Sequence, residues 1–414
     1  MVSALTSEPV AQHRGGLRRV LVTLCVTETT SWGVLYYAFP VLGGRISLDT
    51  GWSLTRLTAA FSLGLVVSAG LGIGVGRWLD RHGPRWLMTA GSTLAVLALI
   101  GVALAPTFAW FVTAWAVAGI SMSAVLYPPA FAALTRWFGE ARVKALTVLT
   151  LAAGLASTIF APLTAAMAAR LDWRTTYVVL AVLLAVVTIP AHLWGLRHPW
   201  PGRPTPPPST PFSPRAPQAP GQVLHSRAFL TLVVSLGLTT LTSYVVVVNL
   251  VPLLGERGVD ASTAAVVLGV GGVGQVLGRL GYAPLARHLG VRARTVVVLA
   301  TVALSTGLLG VLTWLPALVA VAVLAGMVRG IVTLLQATAV TDRWGAHHYG
   351  TLSGVLAAPL TFTTAVAPFL GAALAVVLGS YAAMLAVMAA VGLGAAALSL
   401  GSVPPREPAR TLGR

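Results

Sequence analysis

Apolar runs of about twenty residues recur along this chain, and almost every charge lies in the short segments between them. A helix needs about 20 apolar residues to cross the hydrocarbon core of a bilayer. A chain of 414 residues that is 56% hydrophobic and only 9% charged has enough for about a dozen such helices. A soluble domain carries roughly a quarter charged residues. The single cysteine, Cys25, excludes a disulfide scaffold. The net charge of +17 suggests nucleic acid until the charges are placed between the apolar runs. The pattern is that of a polytopic, all-α membrane protein.

Reading apolar runs against charged and Pro/Gly breaks predicts twelve transmembrane helices, in two sets of six. The first set covers 18–43, 54–76, 86–105, 108–134, 145–168 and 175–196. The second covers 228–254, 262–282, 295–314, 316–341, 350–376 and 381–401. The predicted organisation is an N-terminal tail (1–17), a six-helix bundle (18–196), a linker (197–227), a second bundle (228–402) and a C-terminal tail (403–414). Residues 198–227 hold ten prolines and read as an extended linker. Arg14, Arg18 and Arg19 precede an apolar run too long for a cleaved signal peptide. With the N-terminus inside, the inner segments carry 20 basic residues and the outer ones 5. This asymmetry predicts a plasma-membrane protein with both termini and the linker cytoplasmic.

A shift of 207 residues, half the length, places Arg136-Trp137 on Arg343-Trp344 and Val148-Leu149 on Val355-Leu356. The same shift puts Gly83 on Gly290 and Arg85 on Arg292. One offset serving separate loops argues for two pseudo-symmetric six-helix repeats, an arrangement used for alternating access.

Between the second and third helices stands Gly76-Arg77-Trp78-Leu79-Asp80-Arg81-His82-Gly83-Pro84-Arg85. It reads G-x-x-x-D-R-x-G-x-R and resembles the signature loop of the major facilitator superfamily. The glycines permit a tight turn, Asp80 can cap or pair with a neighbouring helix end, and the arginines sit at the anionic leaflet. The resemblance implies a conformational gate made of Gly76, Asp80, Arg81, Gly83 and Arg85. The second repeat has Arg287 where Asp80 stands.

Thr30-Ser31-Trp32-Gly33, Arg136-Trp137-Phe138 and Gly278-Arg279-Leu280 resemble the monocarboxylate and oxalate/formate branch of that superfamily. In that branch helix 8 carries a polar residue and an arginine four apart that bind the substrate carboxylate; the matching positions here are Gln275 and Arg279. Oxalate-type members keep a lysine in helix 11, and residues 350–376 contain none, which disfavours a dicarboxylate. The resemblance also implies a cavity lined by helices 1, 4, 7 and 10.

Charged side chains inside a membrane cost at least about 2.5 kcal/mol and are functional by default. Three are predicted at depth: Glu28 in helix 1, Arg279 in helix 8 and Arg329 in helix 10. Two arginines and one glutamate leave one positive charge, which a single carboxylate would neutralise. An arginine can hold a carboxylate through two parallel hydrogen bonds. Arg279 and Arg329 are therefore the expected anion ligands, supported by Gln275, Tyr127, Asn249, Tyr36 and Gln336. Glu28 is the expected proton carrier. The alternatives for these charges are a Glu28–Arg329 structural pair and a snorkelling Arg279.

Gly269-Val270-Gly271-Gly272-Val273-Gly274 satisfies G-x-G-x-x-G, but it lies inside an apolar helix with no acidic residue about 20 positions on. Small residues that bring helices together explain it better. No cofactor, metal site or catalytic cluster is expected, so the chain is not read as an enzyme. The expected partners are a small anionic metabolite, protons and the bilayer, with no nucleic acid and a monomeric chain. The competing reading is proton-driven efflux of drugs or other small molecules on the same fold. Its usual helix 5 ending G-P-x-x-G-G is replaced here by Phe160-Ala161-Pro162-Leu163-Thr164-Ala165.

Overall fold

A computed structural model describes residues 8–201, 219–346 and 348–404. Parts of the expected tails and linker (1–7, 202–218 and 405–414) lie outside the described residues. Among the described residues every regular element is helical. Two compact units emerge: unit 1 takes 1–214 with 346–365, and unit 2 takes 215–345 with 366–414.

In unit 1 the chain forms α1 (Glu8–Trp32), a π-helical turn (Gly33–Tyr37), α2 (Ala38–Thr50), α3 (Leu54–His82) and α4 (Pro84–Ala103). It continues through α5 (Phe108–Val125), α6 (Tyr127–Phe138), α7 (Arg142–Gly154), α8 (Ala156–Ala168) and α9 (Trp173–Pro190). Unit 2 holds α10 (Pro220–Leu224), α11 (Arg227–Glu256), α12 (Ala261–His288), α13 (Val291–Val311), α14 (Leu315–Ala339) and α15 (Thr341–Trp344). The last helices are α16 (Tyr349–Leu378), whose first half groups with unit 1, and α17 (Tyr381–Ser399).

Local chemistry sets these boundaries. Ser53, Thr107, Asp172, Ser226 and Ser380 each accept from a backbone N–H in the first turn of the helix that follows. Gly83 takes φ +79°, a conformation that side chains rarely adopt, and Pro84 then opens α4. Leu126 leaves helical geometry ahead of Pro128-Pro129, so the expected helix 108–134 is two pieces, α5 and α6.

Among the described residues ten segments are long and apolar enough to span a membrane. One of them, Phe108–Ala168, is 61 residues long and contains the turn Gly139–Ala141 between α6 and α7. The expected twelve divides that segment and adds the first helix. α3 and α12 each continue six residues beyond the predicted ends at 76 and 282. The reason is general: a helix need not stop where its residues become charged, because the headgroup region solvates the charges.

Unit 1 packs around an aromatic core of Phe39, Phe61, Phe111 and Trp115. The core of unit 2 is aliphatic, around Leu250, Leu253, Leu309, Leu318 and Met384.

Candidate functional site

In unit 1, Glu28 is fully buried on α1, and Trp32 one turn later donates its indole N–H to Glu28 Oε2 at 3.1 Å. Its other oxygen, Oε1, is buried without a hydrogen-bond partner. Counted from the observed start at Glu8, Glu28 is far deeper in its helix than the predicted start at 18 implied. Trp32 then meets Tyr36 (centroids 5.3 Å apart) and Tyr127 (5.0 Å), and Tyr127 stacks on Phe131 at 4.8 Å. The π turn widens the helix just past Trp32, as π turns often do at functional sites. Gly33, its first residue, admits the Phe160 ring: a Cβ there would fall 2.2 Å from it. Glu28 and Tyr36, two turns apart, and the distant Tyr127 thus join one cluster through Trp32.

In unit 2, α12 and α14 touch backbone to backbone. A Cβ on Gly278 would lie 1.9 Å from Met327 O, one on Gly326 1.9 Å from Gly271 O, and one on Gly330 2.1 Å from Gln275 O. The glycine run that mimics a dinucleotide fingerprint is thus part of a helix-packing seam, as expected from small residues. The seam sets the level of the charges. Gly330 lies against both Gln275 and the Arg279 backbone N–H, so Arg329 shares a level with the Gln275–Arg279 turn. Arg279 is only 5% exposed.

Gln336, two turns after Arg329 on the same face of α14, donates to Thr240 Oγ1 on α11 at 3.0 Å. α11 and α14 are three crossings apart and so run in opposite directions. One turn onward from Thr240 therefore brings Tyr244 back toward the Arg329 level.

Asn249 is placed differently. Its amide donates to Val245 O in its own helix at 2.9 Å, and it packs into the space left by Gly371. Glycine there gives Asn249 room, and the geometry gives the amide a packing role at α11–α16.

The motif loop is organised by Asp80. Its Oδ1 accepts from the Gly350 N–H at 3.0 Å, and its Oδ2 accepts from the Thr351 N–H and hydroxyl, both at 2.9 Å. The carboxylate thus caps the first turn of α16, where open N–H groups and the helix dipole favour an anion. Gly76 allows this approach: a Cβ there would lie 2.1 Å from Gly350 O. Arg136 donates to Asp80 O at 3.2 Å, Arg85 donates to Leu193 O at 2.9 Å, and Arg81 is exposed. Trp200 packs its ring against Gly83 and under the Arg136 guanidinium, 4.9 Å away. Among the described residues no group of three or more His, Cys, Asp or Glu side chains is arranged to hold a metal.

Comparison with known proteins fits this arrangement. The family model described as Major Facilitator Superfamily matches residues 24–358 and 238–414. The chain is 27% identical over 310 residues to human monocarboxylate transporter 11, covering 70% of this chain and 62% of the relative. It is 33% identical over 99 residues to the fujikurins efflux protein of Gibberella fujikuroi (24% and 21%). A third relative is the uncharacterised MFS-type transporter YcxA of Bacillus subtilis, 26% identical over 126 residues (30% and 31%). The chain thus spans less than two thirds of the length of each of these relatives. The crystal structure of the human organic anion transporter MFSD10 superposes with TM-score 0.71 at 17% identity, over 92% of this chain and 99% of that one. That of the E. coli fucose:proton symporter gives 0.70 at 11% identity, over 92% and 97%. The fold, the motif loop and the family match agree: this multi-pass membrane protein belongs to the major facilitator superfamily.

Proposed function

We propose that this protein moves a small organic anion, a monocarboxylate, across the plasma membrane by alternating access, with proton symport or anion exchange. The observation that carries the reading is the level shared by Arg279 and Arg329 on the fused α12–α14 pair. The membrane-spanning helices of unit 2 contain these two guanidiniums and no carboxylate in their apolar stretches. Charge at such depth is retained for function, and paired guanidiniums suit a carboxylate better than any neutral or cationic cargo. Gln275 lies one turn from Arg279, and Gln336 fixes the α11–α14 register. Human monocarboxylate transporter 11 supplies independent support. Glu28, buried beside Trp32, is the proposed proton carrier, and Tyr36 and Tyr127 line the same cluster. Asn249 contributes indirectly, by holding α11 against α16. The proposed working form is a monomer with both termini and the Pro-rich linker in the cytoplasm and Asp80 as the latch of the gate. The six-helix division at 197–227 belongs to the same proposal.

Efflux of a lipophilic or cationic compound is the second reading, favoured by the fujikurins efflux relative. Ligand binding separates the two. Purified protein should be thermally stabilised by lactate, pyruvate or acetate but not by a lipophilic cation, and Arg279→Ala should abolish the anion effect. Stabilisation by the cation alone would favour efflux.

A further inference from the structure

The chain that follows α9 is pinned on three helices and the motif loop of unit 1. Arg85 of α4 donates to Leu193 O, and the His198 ring lies so close to Gly16 of α1 that a Cβ there would fall 2.7 Å from it. Trp137 of α6 donates its indole N–H to Pro199 O at 3.0 Å and meets the Trp200 ring edge-on at 5.2 Å. Trp200 then closes on Gly83 and on the Arg136 guanidinium. The sequence alone reads this stretch as the start of an extended linker.

Arg136 joins the pinned stretch to the gate motif, because it also donates to Asp80 O. The Asp80 carboxylate in turn holds the Gly350 and Thr351 N–H groups. Gly83, at φ +79°, is the bend between α3 and α4. A ring set against both Gly83 and Arg136 therefore restrains the loop on either side of the latch. The second repeat uses the same device in a firmer form. There Arg343, the counterpart of Arg136, donates to Ser402 O and Oγ just past α17. Each repeat thus has its arginine hold the chain that leaves its last helix, by hydrogen bonds in unit 2 and by a ring contact in unit 1. The unit 1 grip also carries a penalty. The Trp200 indole N–H is buried and has no acceptor among the described residues, and water satisfies such a donor once the ring lifts away.

Resting on the reading of Asp80 as the latch of the gate, we propose that residues 196–200 form a releasable strap. With Trp200 docked, Arg136 and Gly83 keep Asp80 on the first turn of α16. With Trp200 lifted, the latch opens more readily. The start of the linker is then a control element of the gate and not only a tether.

The test is amide hydrogen exchange of the full chain in lipid nanodiscs, read on peptides covering the start of α16. Exchange of the Gly350 and Thr351 N–H groups requires the Asp80 bonds to break. A cation–π contact shifts such an equilibrium roughly twofold to fivefold, so Trp200→Ala should speed exchange there by about that factor, with peptides of α13 unchanged. Trp200→Phe keeps a ring on Gly83 and Arg136 and drops the unsatisfied N–H; it should stay within about twofold of wild type. Trp137→Phe removes the bond to Pro199 O and should move exchange in the same direction as Trp200→Ala, which keeps the test decisive if that variant is not recovered folded. Asp80→Ala is the reference for an open latch. Exchange at α16 that is unchanged in the tryptophan variants but faster in Asp80→Ala, or faster in all peptides alike, overturns the strap and leaves the latch standing. No change at α16 in Asp80→Ala overturns the latch as well.

Discussion

The motif loop of unit 1 and its counterpart 207 residues later share a spacing but hold their surroundings in different ways. In unit 1 the acid is Asp80, and its carboxylate is bound by the backbone and hydroxyl of Gly350 and Thr351 at the start of α16. In unit 2 that position is Arg287, and the acid nearby is Asp342, which is ion-paired with the buried Arg294. Arg136 in unit 1 donates to Asp80 O, whereas its counterpart Arg343 donates to Ser402 O, Ser402 Oγ, Thr295 Oγ1 and Ala339 O. One end is a latch whose three bonds fall on the first turn of one helix and can break together. The other is a closed joint whose charges are satisfied internally. A repeated sequence thus yields two different sets of bonds, one spent on the first turn of α16 and one closed among residues of unit 2.

The strongest way to break this comparison is Asp342→Ala. It strips Arg294, which is 5% exposed, of its counter-ion, and breaking a buried pair in this way costs ~3–5 kcal/mol. Thermal unfolding in detergent should show a large loss of stability. Asp80→Ala should do the reverse, with a smaller fall in unfolding temperature but turnover lowered by about tenfold or more, measured by uptake under saturating substrate. Equal stability losses in both variants would erase the distinction between latch and joint.

Gly83→Ala and Gly290→Ala sharpen the same contrast at matched positions. Gly83 has φ +79° and faces the Trp200 ring, where an added Cβ would sit 3.0 Å away, whereas Gly290 has φ −61° and open space around it. The first substitution should cost roughly 1–3 kcal/mol, and the second should stay within about 0.5 kcal/mol.

The smallest effect concerns the caps of α9 and α17. Asp172 is held below the ordinary carboxylate range by the N–H and the hydroxyl of Thr175. Its capping contribution is therefore fully present above the unfolded-state value and is lost as pH falls through the lower folded value. Asp172→Ala should cost ~1 kcal/mol at neutral pH and nothing in strong acid. Ser380→Ala should show a similar cost that does not vary across the same range. Unfolding temperatures from pH 3 to 7 check both.

Much of the fold was legible because apolar length and charge placement are imposed by the bilayer itself. The predicted spans and observed helices agree within a few residues, except that the first starts ten residues earlier and its continuation α2 ends seven later, and α3 and α12 each run six residues further. The glycine seam was legible as small residues, and the capping capacity of Asp80 as an acid beside a turn. Less of the candidate site could be read. That α16 receives the Asp80 carboxylate depends on a contact 270 residues away in sequence. The close fit of Phe160 on Gly33, at the start of the π turn, is another long-range contact. Asn249 donates one amide N–H to Val245 O of its own helix, a bond that its residue type alone does not reveal.

The central claim is that the paired arginines of unit 2 carry an anion. Its most direct test is uptake of labelled pyruvate into proteoliposomes, with and without an inward proton gradient, by wild type, Arg279→Ala and Glu28→Gln. The account predicts gradient-stimulated uptake by wild type, none by Arg279→Ala, and loss of the gradient effect in Glu28→Gln. Full pyruvate uptake by Arg279→Ala, or transport of a lipophilic cation with no uptake of any anion, would contradict it.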